Sequence, residues 1–261
     1  MSANTPFDRA AELVAQAQRV VALTGAGFSR PSGIPDFRSP DGLWAKSDPV
    51  EVASLRSFRR NPDHFYAWLN GLLDPMLTAQ PNPAHLALAE LETAGRLNAV
   101  VTQNIDGLHQ QAGSRRVFEL HGHLRSATCP DCGRQVPTAP LMPNIRKGRA
   151  PRCNCGGAFK PDVVLFDEAL PPGIFWLAHQ AIEQCDLLLV AGTALEVAPV
   201  CDLPLFATRR GTKVIIVNFE PTYLDPMAEV VLRADVATAI PALARAALGS
   251  WGEQRCAQFA L

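Results

Sequence analysis

The chain has 261 residues, of which 48% are hydrophobic and 19% charged, a balance that excludes a wholly disordered chain and permits one large domain or two small ones. Its 24 basic and 25 acidic residues give a formal net charge of -1, so no overall basic field attracts nucleic acid. The longest apolar runs, such as 186–191, are much shorter than a membrane span, and no membrane partner is expected. The first residues carry no secretory signal, so the predicted location is the cytoplasm.

Strand-like and helix-like segments alternate along the chain. In chain order, the pattern predicts a helix over 10–18, a strand over 19–24, helices over 61–73 and 84–94, strands over 98–102, 117–120 and 163–166, a helix over 174–184, strands over 186–191 and 213–218, and a helix over 236–248. Continuous apolar strands separated by helices indicate an α/β domain, in which helices cover both faces of a parallel sheet.

Two stretches depart from this alternation. Residues 40–83 combine loops with short helices, and residues 125–160 are rich in Pro, Gly, Arg and Cys and contain no long apolar run. We interpret both as insertions that together form a second, smaller lobe. The sheet domain would then consist of residues 1–39, 84–124 and 161–261.

A glycine turn, Gly-Ala-Gly at 25–27, follows the first strand. Small residues here allow a backbone to approach a pyrophosphate, and the N-terminus of a following helix would stabilise the anion. The turn alone is a weak signal, because a tight strand-to-helix connection has the same composition. Arg30 occupies the third glycine position of the dehydrogenase fingerprint, which argues against a hydride-transfer enzyme but not against NAD. Gly and Pro within 32–38 end regular structure, so Phe37 and Arg38 are expected on a loop near the phosphates.

Four cysteines stand in two close pairs, Cys129 with Cys132 and Cys153 with Cys155. Each pair lies on a Pro- or Gly-rich knuckle, and together the knuckles can place four thiolates around Zn2+. Four sulfur ligands close the coordination sphere, so the ion would be structural. Two disulfides or free thiols are the alternative, which a reducing compartment disfavours.

The cysteine-rich insertion also carries basic residues, and zinc ribbons often bind nucleic acid. The basic cluster consists of Arg146, Lys147, Arg149 and Arg152. A solvated face is the favoured interpretation of this cluster. Because the net charge is also close to zero, we expect no direct nucleic-acid binding.

Polar side chains follow the second buried strand, where Gln103, Asn104 and Asp106 stand just beyond its carboxyl end. Ligands bind at this edge of open α/β sheets, and amides with a carboxylate suit ribose hydroxyls and a carboxamide. Capping of the next helix is the alternative for Asn104 or Asp106. His121 ends another strand at the same edge, so it is a candidate general base, with a purely structural histidine as the alternative.

Taken together, these residues resemble the sirtuin family, whose members are NAD-dependent protein lysine deacylases with a Rossmann-like large domain and a zinc-bearing small domain. The matching stretches span nearly the whole chain in the family's order, and the chain is little longer than a compact bacterial-type catalytic core. The stretches are 25–38, 102–109, 120–122, the four cysteines, 160–166, 192–199 and 217–220.

The resemblance implies a role for individual residues. His121 would be the general base, and Asn104 would orient the ribose or the water. The residues implied in binding NAD are Gly25, Ala26, Gly27, Arg30, Phe37, Arg38, Gln103, Ile105, Asp106, Gly192, Thr193, Asn218 and Asp235. Among them, Phe37, Ile105 and Asp106 would form the nicotinamide pocket.

The implied reaction removes an acetyl group, or another neutral acyl group, from a lysine side chain and gives nicotinamide and O-acetyl-ADP-ribose. The acylated protein would bind as an extended strand between 163–166 and 194–197, with contacts from Val163, Phe166 and Glu196. NAD-dependent protein mono-ADP-ribosylation is the alternative activity. Acetylated proteins are the expected partners, and the chain is expected to be monomeric.

Four positions bear on the expected acyl preference and on the expected affinities for the cofactor and the peptide. Leu69 and Leu72 stand where succinyl-preferring members carry Tyr and Arg, so neutral acyl groups are favoured; the alternative is that both are core residues of the helix. Ala194 and Asp167 replace the Ser and Gly that are usual in the family. These two replacements affect the expected affinity for the cofactor and the peptide, but they remove no group from the reaction.

Overall fold

The computed structural model describes residues 5–36, 42 and 48–258, with side chains as far as residue 249. In this part of the chain the strands are β1 (Val20–Thr24), β2 (Leu97–Thr102), β3 (Val117–Glu119), β4 (Gly122–Thr128), β5 (Gln135–Pro137), β6 (Lys160–Val163), β7 (Leu187–Ala191), β8 (Lys213–Val217) and β9 (Val230–Leu232). The α-helices are α1 (Pro6–Gln16), α2 (Pro49–Ala53), α3 (Leu55–Arg60), α4 (Pro62–Thr78), α5 (Pro83–Thr93), α6 (Leu108–Gln111), α7 (Met142–Ile145), α8 (Pro172–Gln184), α9 (Leu203–Arg209) and α10 (Val236–Gln258).

Six strands form one parallel sheet in the order β3-β2-β1-β7-β8-β9. The predicted parallel sheet is therefore confirmed. The strand order reverses direction between β1 and β7, and in open α/β sheets ligands bind at the carboxyl ends of the strands beside such a reversal. This Rossmann-like topology places Thr24 and Ala191, the last residues of the two strands, next to each other.

Both faces of the sheet are buried, which explains why its strands are continuously apolar. One face packs against α1, α5 and α10, with Leu88 and Ile240 in its core. The opposite face packs against α8 and α9, with Ile182 and Leu203 in its core. Within the described residues, no helix is long and apolar enough to cross a membrane.

The smaller lobe has an antiparallel sheet in the order β5-β4-β6. Helices α2 to α4 pack beside it, and the Tyr66 hydroxyl donates to the backbone oxygen of Phe159 at 2.8 Å. The sheet begins at Gly122 and ends at Val163, so two of its strands cross the expected limits at 124/125 and 160/161. The exact division of the chain into lobes stays a prediction.

One of the predicted strands is wrong. The strand predicted over 163–166 ends at Val163, because Phe166 leaves the sheet and exchanges backbone hydrogen bonds with Ala53 and Leu55, each of 2.9 Å. No α-helix begins at the glycine turn, where the chain forms short 3-10 turns over 26–28 and 30–32. Gly33, with a φ of 87°, ends the second turn in the left-handed region that favours glycine.

Candidate active site

A deep cleft opens between the carboxyl edge of the parallel sheet and the smaller lobe, with a volume of about 1310 Å³. Segments that follow β1, β2, β7 and β8 line one side of it, and α4 with residues 163–168 lines the other. The predicted site residues that the structure describes are brought together here. The members that line the cleft are Gly25, Ala26, Gly27, Arg30, Gln103, Asn104, Ile105, Asp106, His121, Val163, Phe166, Gly192, Thr193, Glu196, Asn218 and Asp235.

The glycine turn lies against the turn that follows β7. The backbone N–H of Gly27 donates to the oxygen of Gly192 at 2.9 Å. A Cβ added to Gly25 would stand 2.7 Å from the Cβ of Thr193, so a larger residue would force the two turns apart. Glycine is thus required for contact between two protein backbones, and the same approach keeps the turn's surface open toward the cleft.

Asn104 and Asp106 are held by one serine that follows the glycine turn. Ser29 donates its hydroxyl proton to Asp106 Oδ2 at 2.7 Å and accepts from Asn104 Nδ2 at 3.1 Å. Asn104 Nδ2 also donates to the oxygen of Gly25 at 3.0 Å. Desolvation by burial raises the pKa of Asp106, while the hydrogen bonds from Ser29 and from the backbone of Leu108 oppose that shift.

Gln103 links His121 to the turn after β7. Its side-chain amide donates to the Thr193 hydroxyl at 2.9 Å, and its backbone oxygen lies 3.0 Å from His121 Nδ1. A carbonyl can only accept, so the neutral imidazole carries its proton on Nδ1 and presents an unprotonated Nε2. Burial lowers the pKa of His121 below its usual value, which favours this neutral form. The ring is therefore in the state that a general base requires.

The remaining predicted cofactor residues occupy the rim and the far end of the cleft. Asp235 caps α10 by accepting from the backbone N–H of Ala237 at 2.6 Å, and Asn218 Nδ2 donates to the oxygen of Glu220 at 2.8 Å. Arg30 pairs with Asp36 at 3.1 Å. The predicted residues Phe37 and Arg38 lie outside the described residues.

The predicted peptide contacts Val163 and Phe166 line the cleft, but much of their backbone is already engaged. Phe166 uses both of its backbone groups on the helical insertion, and the N–H of Val164 donates to the oxygen of His121 at 2.9 Å. Glu168 accepts from Lys160 Nζ at 3.0 Å and from the N–H of Leu165 at 2.8 Å, which fixes this segment. A peptide that pairs along 163–166 would therefore find few backbone groups available.

An apolar wall of the cleft comes from one face of α4. The side chains that line it are Phe65, Trp68, Leu69, Leu72 and Met76. Phe65 and Leu69 are nearly inaccessible to solvent, whereas Leu72 is half-buried. A polar or charged group that entered this part of the cleft would lose its hydration without gaining a partner from the wall.

The four cysteines form a cluster in which all Sγ atoms lie within 4.8 Å of one another. The Cys129 and Cys155 sulfurs are 3.5 Å apart, and those of Cys132 and Cys153 are 3.7 Å apart. A tetrahedron with Zn–S bonds of about 2.3 Å has sulfurs about 3.8 Å apart. A Cβ on Gly157 would stand 2.9 Å from Cys129 Sγ, so the second knuckle needs glycine there. The donor set and its geometry fit zinc.

Ser29 and the α4 face beyond Leu69 and Leu72 were not identified as site residues from the sequence. The partner of Ser29, Asp106, is 77 residues away along the chain, so no local pattern signals the contact. The α4 face has the composition of an ordinary core helix. Only its position opposite the sheet edge distinguishes it.

Known proteins resemble this chain in sequence and in structure. A model described as the Sir2 family matches residues 25–199. An NAD-dependent protein deacylase 2 from Archaeoglobus fulgidus is 46% identical over 89% of this chain and 92% of its own length. An NAD-dependent protein deacetylase 1 from Pyrobaculum aerophilum is 45% identical over 91% of this chain and 93% of its own length.

A solved structure extends the likeness to the fold. It holds a variant Sir2 protein with a deacetylated p53 peptide and 3'-O-acetyl ADP ribose. The TM-score is 0.86 at 36% sequence identity, and the match covers 94% of this chain and 98% of the other.

Proposed function

Because this chain belongs to the Sir2 family, we propose that it is an NAD-dependent protein lysine deacetylase that produces nicotinamide and O-acetyl-ADP-ribose. One observation carries the proposal: His121, with Nδ1 on the Gln103 backbone oxygen, faces the cleft at the sheet edge beside the hydrogen-bonded set of Ser29, Asn104 and Asp106. Relatives of nearly full length bear deacetylase or deacylase names. A related Sir2 protein has been solved with two of the three products of this reaction, a deacetylated peptide and O-acetyl ADP ribose.

The cleft suits NAD in its shape and in its donors. It is long enough to join the Gly25 turn, the Thr193 turn and Asp235 at one end to Asp106 at the other. When bound, NAD supplies an electrophilic sugar carbon from which nicotinamide departs. The close packing of Gly25 and Gly27 on Gly192 leaves backbone at the cleft surface, where side chains would otherwise obstruct a pyrophosphate.

The nicotinamide end is assigned to Asp106 and Ile105. Asp106 is buried and already holds Ser29 and the backbone of Leu108, so its carboxylate is fixed in orientation. A fixed carboxylate can accept from a carboxamide N–H without reorganising. Asn104 is nearly buried, and its amide orients the Gly25 turn against the ribose.

His121 is assigned as the general base that removes a proton from a ribose hydroxyl. Its Nδ1 proton is retained by the oxygen of Gln103, so Nε2 is the atom that accepts. The backbone oxygen of His121 also accepts from Val164, which couples the ring's position to the segment beside the peptide site.

The substrate is a protein carrying acetyl-lysine or another neutral acyl-lysine. The apolar wall of Leu69 and Leu72 supports this choice, since it offers dispersion contacts but no cation for an acyl carboxylate. Val163, Phe166 and Glu196 are the proposed contacts of the peptide. Because few backbone groups along 163–166 are free, 194–197 is proposed to supply more of the pairing.

Zinc is proposed as a structural ion held by the four cysteines, remote from the chemistry. The enzyme is proposed to act in the cytoplasm as a monomer and without nucleic acid. The basic cluster is partly neutralised by α4, because Arg146 pairs with Asp74 at 2.9 Å and Arg152 lies 3.8 Å from Asp63. Acidic partners from the chain itself weaken a phosphate-binding interpretation.

The test is a mass spectrum of the products after incubation with NAD and an acetyl-lysine peptide. We expect deacetylated peptide, nicotinamide and O-acetyl-ADP-ribose in equal amounts. ADP-ribose attached to protein, with the acetyl group still on the peptide, would overturn the proposal and favour mono-ADP-ribosylation.

A further inference from the structure

Two buried histidines lie beneath the floor of the cleft and do not line it. His85 on α5 and His109 on α6 are 0% and 1% exposed, and their ring centroids are 4.7 Å apart. Both rings pack against Phe28, at centroid distances of 4.9 and 5.1 Å. The proposed mechanism uses neither ring, and two imidazoles in the core require an explanation.

A chain of hydrogen bonds leads from His109 up to the cleft. His109 Nε2 lies 3.0 Å from the Thr24 hydroxyl, and that hydroxyl donates to Thr102 Oγ1 at 2.9 Å. Thr102 Oγ1 also accepts from the backbone N–H of Asn104 at 3.1 Å. The side-chain amide of Asn104 in turn donates to the backbone oxygen of Gly25. His109 is thus three hydrogen bonds from a residue assigned to the ribose.

A second connection runs from His85 to the same region. The backbone N–H of Asn82 donates to His85 Nδ1 at 3.3 Å. Asn82 Nδ2 donates to the backbone oxygen of Phe28 at 2.8 Å and to Ser32 Oγ at 3.1 Å. These bonds hold the two 3-10 turns that follow the glycine turn.

The two rings have complementary unpaired nitrogens. Because Asn82 donates to His85 Nδ1, the neutral His85 carries its proton on Nε2. With Thr24 donating to Thr102, His109 donates from Nε2 to Thr24 and keeps a lone pair on Nδ1. His85 Nε2 and His109 Nδ1 are buried and have no other partner among the described residues. A donor and an acceptor therefore stand unsatisfied on adjacent rings.

We propose that His85 and His109 are positioning residues: a neutral imidazole pair in which one water accepts from His85 Nε2–H and donates to His109 Nδ1, and so aligns Thr24, Thr102 and Asn104 with the cofactor. This arrangement satisfies both orphaned nitrogens and joins the two connections into one buried network. The proposal rests on the proposed function, in that NAD occupies the cleft.

The surroundings of the pair keep both rings uncharged. Burial lowers the pKa of His85 to about 4 and that of His109 well below its usual value, and the charge of one ring would oppose that of the other. The described residues that contact the pair through ring packing or hydrogen bonds are Phe28, Thr24 and Asn82, none of which is ionisable. A fixed tautomer can define the direction of each hydrogen bond in the network.

The first test reads the tautomers in the wild-type protein by NMR of 15N-labelled histidine, independently of activity. We expect both rings to be neutral Nε2–H tautomers from pH 7.5 to pH 5.5. An Nδ1–H tautomer at His109, or titration of either ring near the ordinary histidine pKa of about 6.5, would overturn the proposal. This result is informative even if the protein proves to have no deacetylase activity.

The second test compares His109→Leu, which removes the donor to Thr24, with His109→Gln, whose side-chain amide can replace it. Loss of one buried hydrogen bond should raise the KM for NAD roughly tenfold in His109→Leu and leave the KM for the acetyl-lysine peptide within about twofold. His109→Gln should restore most of the loss. His179→Leu, on the remote α8, is the matched control and should behave as wild type.

A wild-type KM for NAD in a folded His109→Leu protein would overturn the proposal. An equal rise in both KM values would also overturn it, since that pattern indicates general loosening. If His109→Leu does not fold, the proposal is tested by the NMR tautomers of the wild-type protein and by the KM of His109→Gln for NAD. In that case, a folded His109→Gln protein whose KM for NAD is roughly tenfold higher than that of the wild type would contradict the proposal.

Discussion

The backbone oxygen of Gln103 accepts a hydrogen bond from Nδ1 of His121 at 3.0 Å. A single contact thus sets both the tautomer and the direction of the ring, because the carbonyl must accept and Nε2 must remain free. The side chain of the same glutamine donates to Thr193, so the position of the base and the turn after β7 are coupled through one residue.

His121→Ala should abolish deacetylation and leave the fold intact, since the ring makes one side-chain hydrogen bond to a backbone oxygen that other donors or water can satisfy. Product formation should fall by at least about 100-fold, the usual contribution of a general base. Mass spectrometry of products and the thermal midpoint Tm would measure the two effects. Near wild-type turnover in a stable variant would refute the assignment.

Deacetylation should also persist at pH values below the ordinary pKa of histidine, about 6.5. Burial lowers the pKa of His121, so the neutral base is present above that lowered pKa and is lost as pH falls through it. The acidic limb of kcat/KM, which reports the free enzyme, is therefore expected below pH 6.5, the model-peptide value. A limb centred above 6.5 would contradict the neutral base.

Cys129→Ser should remove the structural ion and destabilise the smaller lobe. Binding of zinc by four thiolates contributes folding free energy, on the order of 10 kcal/mol in small zinc sites. We expect elemental analysis to find one zinc per wild-type chain and much less in the variant, whose Tm should fall steeply. Cys201→Ser, which changes a thiol outside the cluster, is the control and should retain both zinc and Tm.

Gly122→Ala should be far more damaging than its backbone angle alone predicts. Gly122 has a φ of 74°, and an added Cβ would collide with the backbone oxygen of Asp162, where β4 approaches β6. Gly211 has a φ of 76° with no atom within 4 Å of the added Cβ, so Gly211→Ala isolates the conformational cost of about 1–2 kcal/mol. Urea denaturation would compare the two, and equal losses would show that the close approach is unimportant.

Neutral acyl groups should be preferred over succinyl. A carboxylate against Leu69 and Leu72 would be desolvated without a partner, at a cost of several kcal/mol. The ratio of kcat/KM for acetyl- and succinyl-lysine on one peptide should therefore strongly favour acetyl, and a ratio at or below one would refute the prediction.

Leu72→Arg tests the same wall by adding a cation. We expect it to raise kcat/KM for the succinyl peptide, because the guanidinium would pair with the acyl carboxylate. Leu77→Arg is the matched control, since Leu77 lies on the same helix but is 51% exposed and outside the cleft. A gain of equal size in the control would assign the effect to surface charge.

Local patterns in the sequence predicted the parallel sheet, the two cysteine knuckles and the edge at which Gln103 and His121 stand. One error concerns the end of an element. The strand expected over 163–166 ends at Val163, because Phe166 exchanges backbone hydrogen bonds with Ala53 and Leu55 and not with a neighbouring strand of the sheet.

The sequence by itself indicated most strands of the parallel sheet, the longer helices and the candidate site motifs, because periodicity, glycine turns and cysteine spacing are properties of neighbouring residues. Only the tertiary structure decided that Ser29 joins Asn104 to Asp106, that α4 supplies an apolar wall, and that His85 meets His109. These contacts join residues far apart along the chain. They exist because helices and turns on either side of the sheet are packed against each other, which no local pattern encodes.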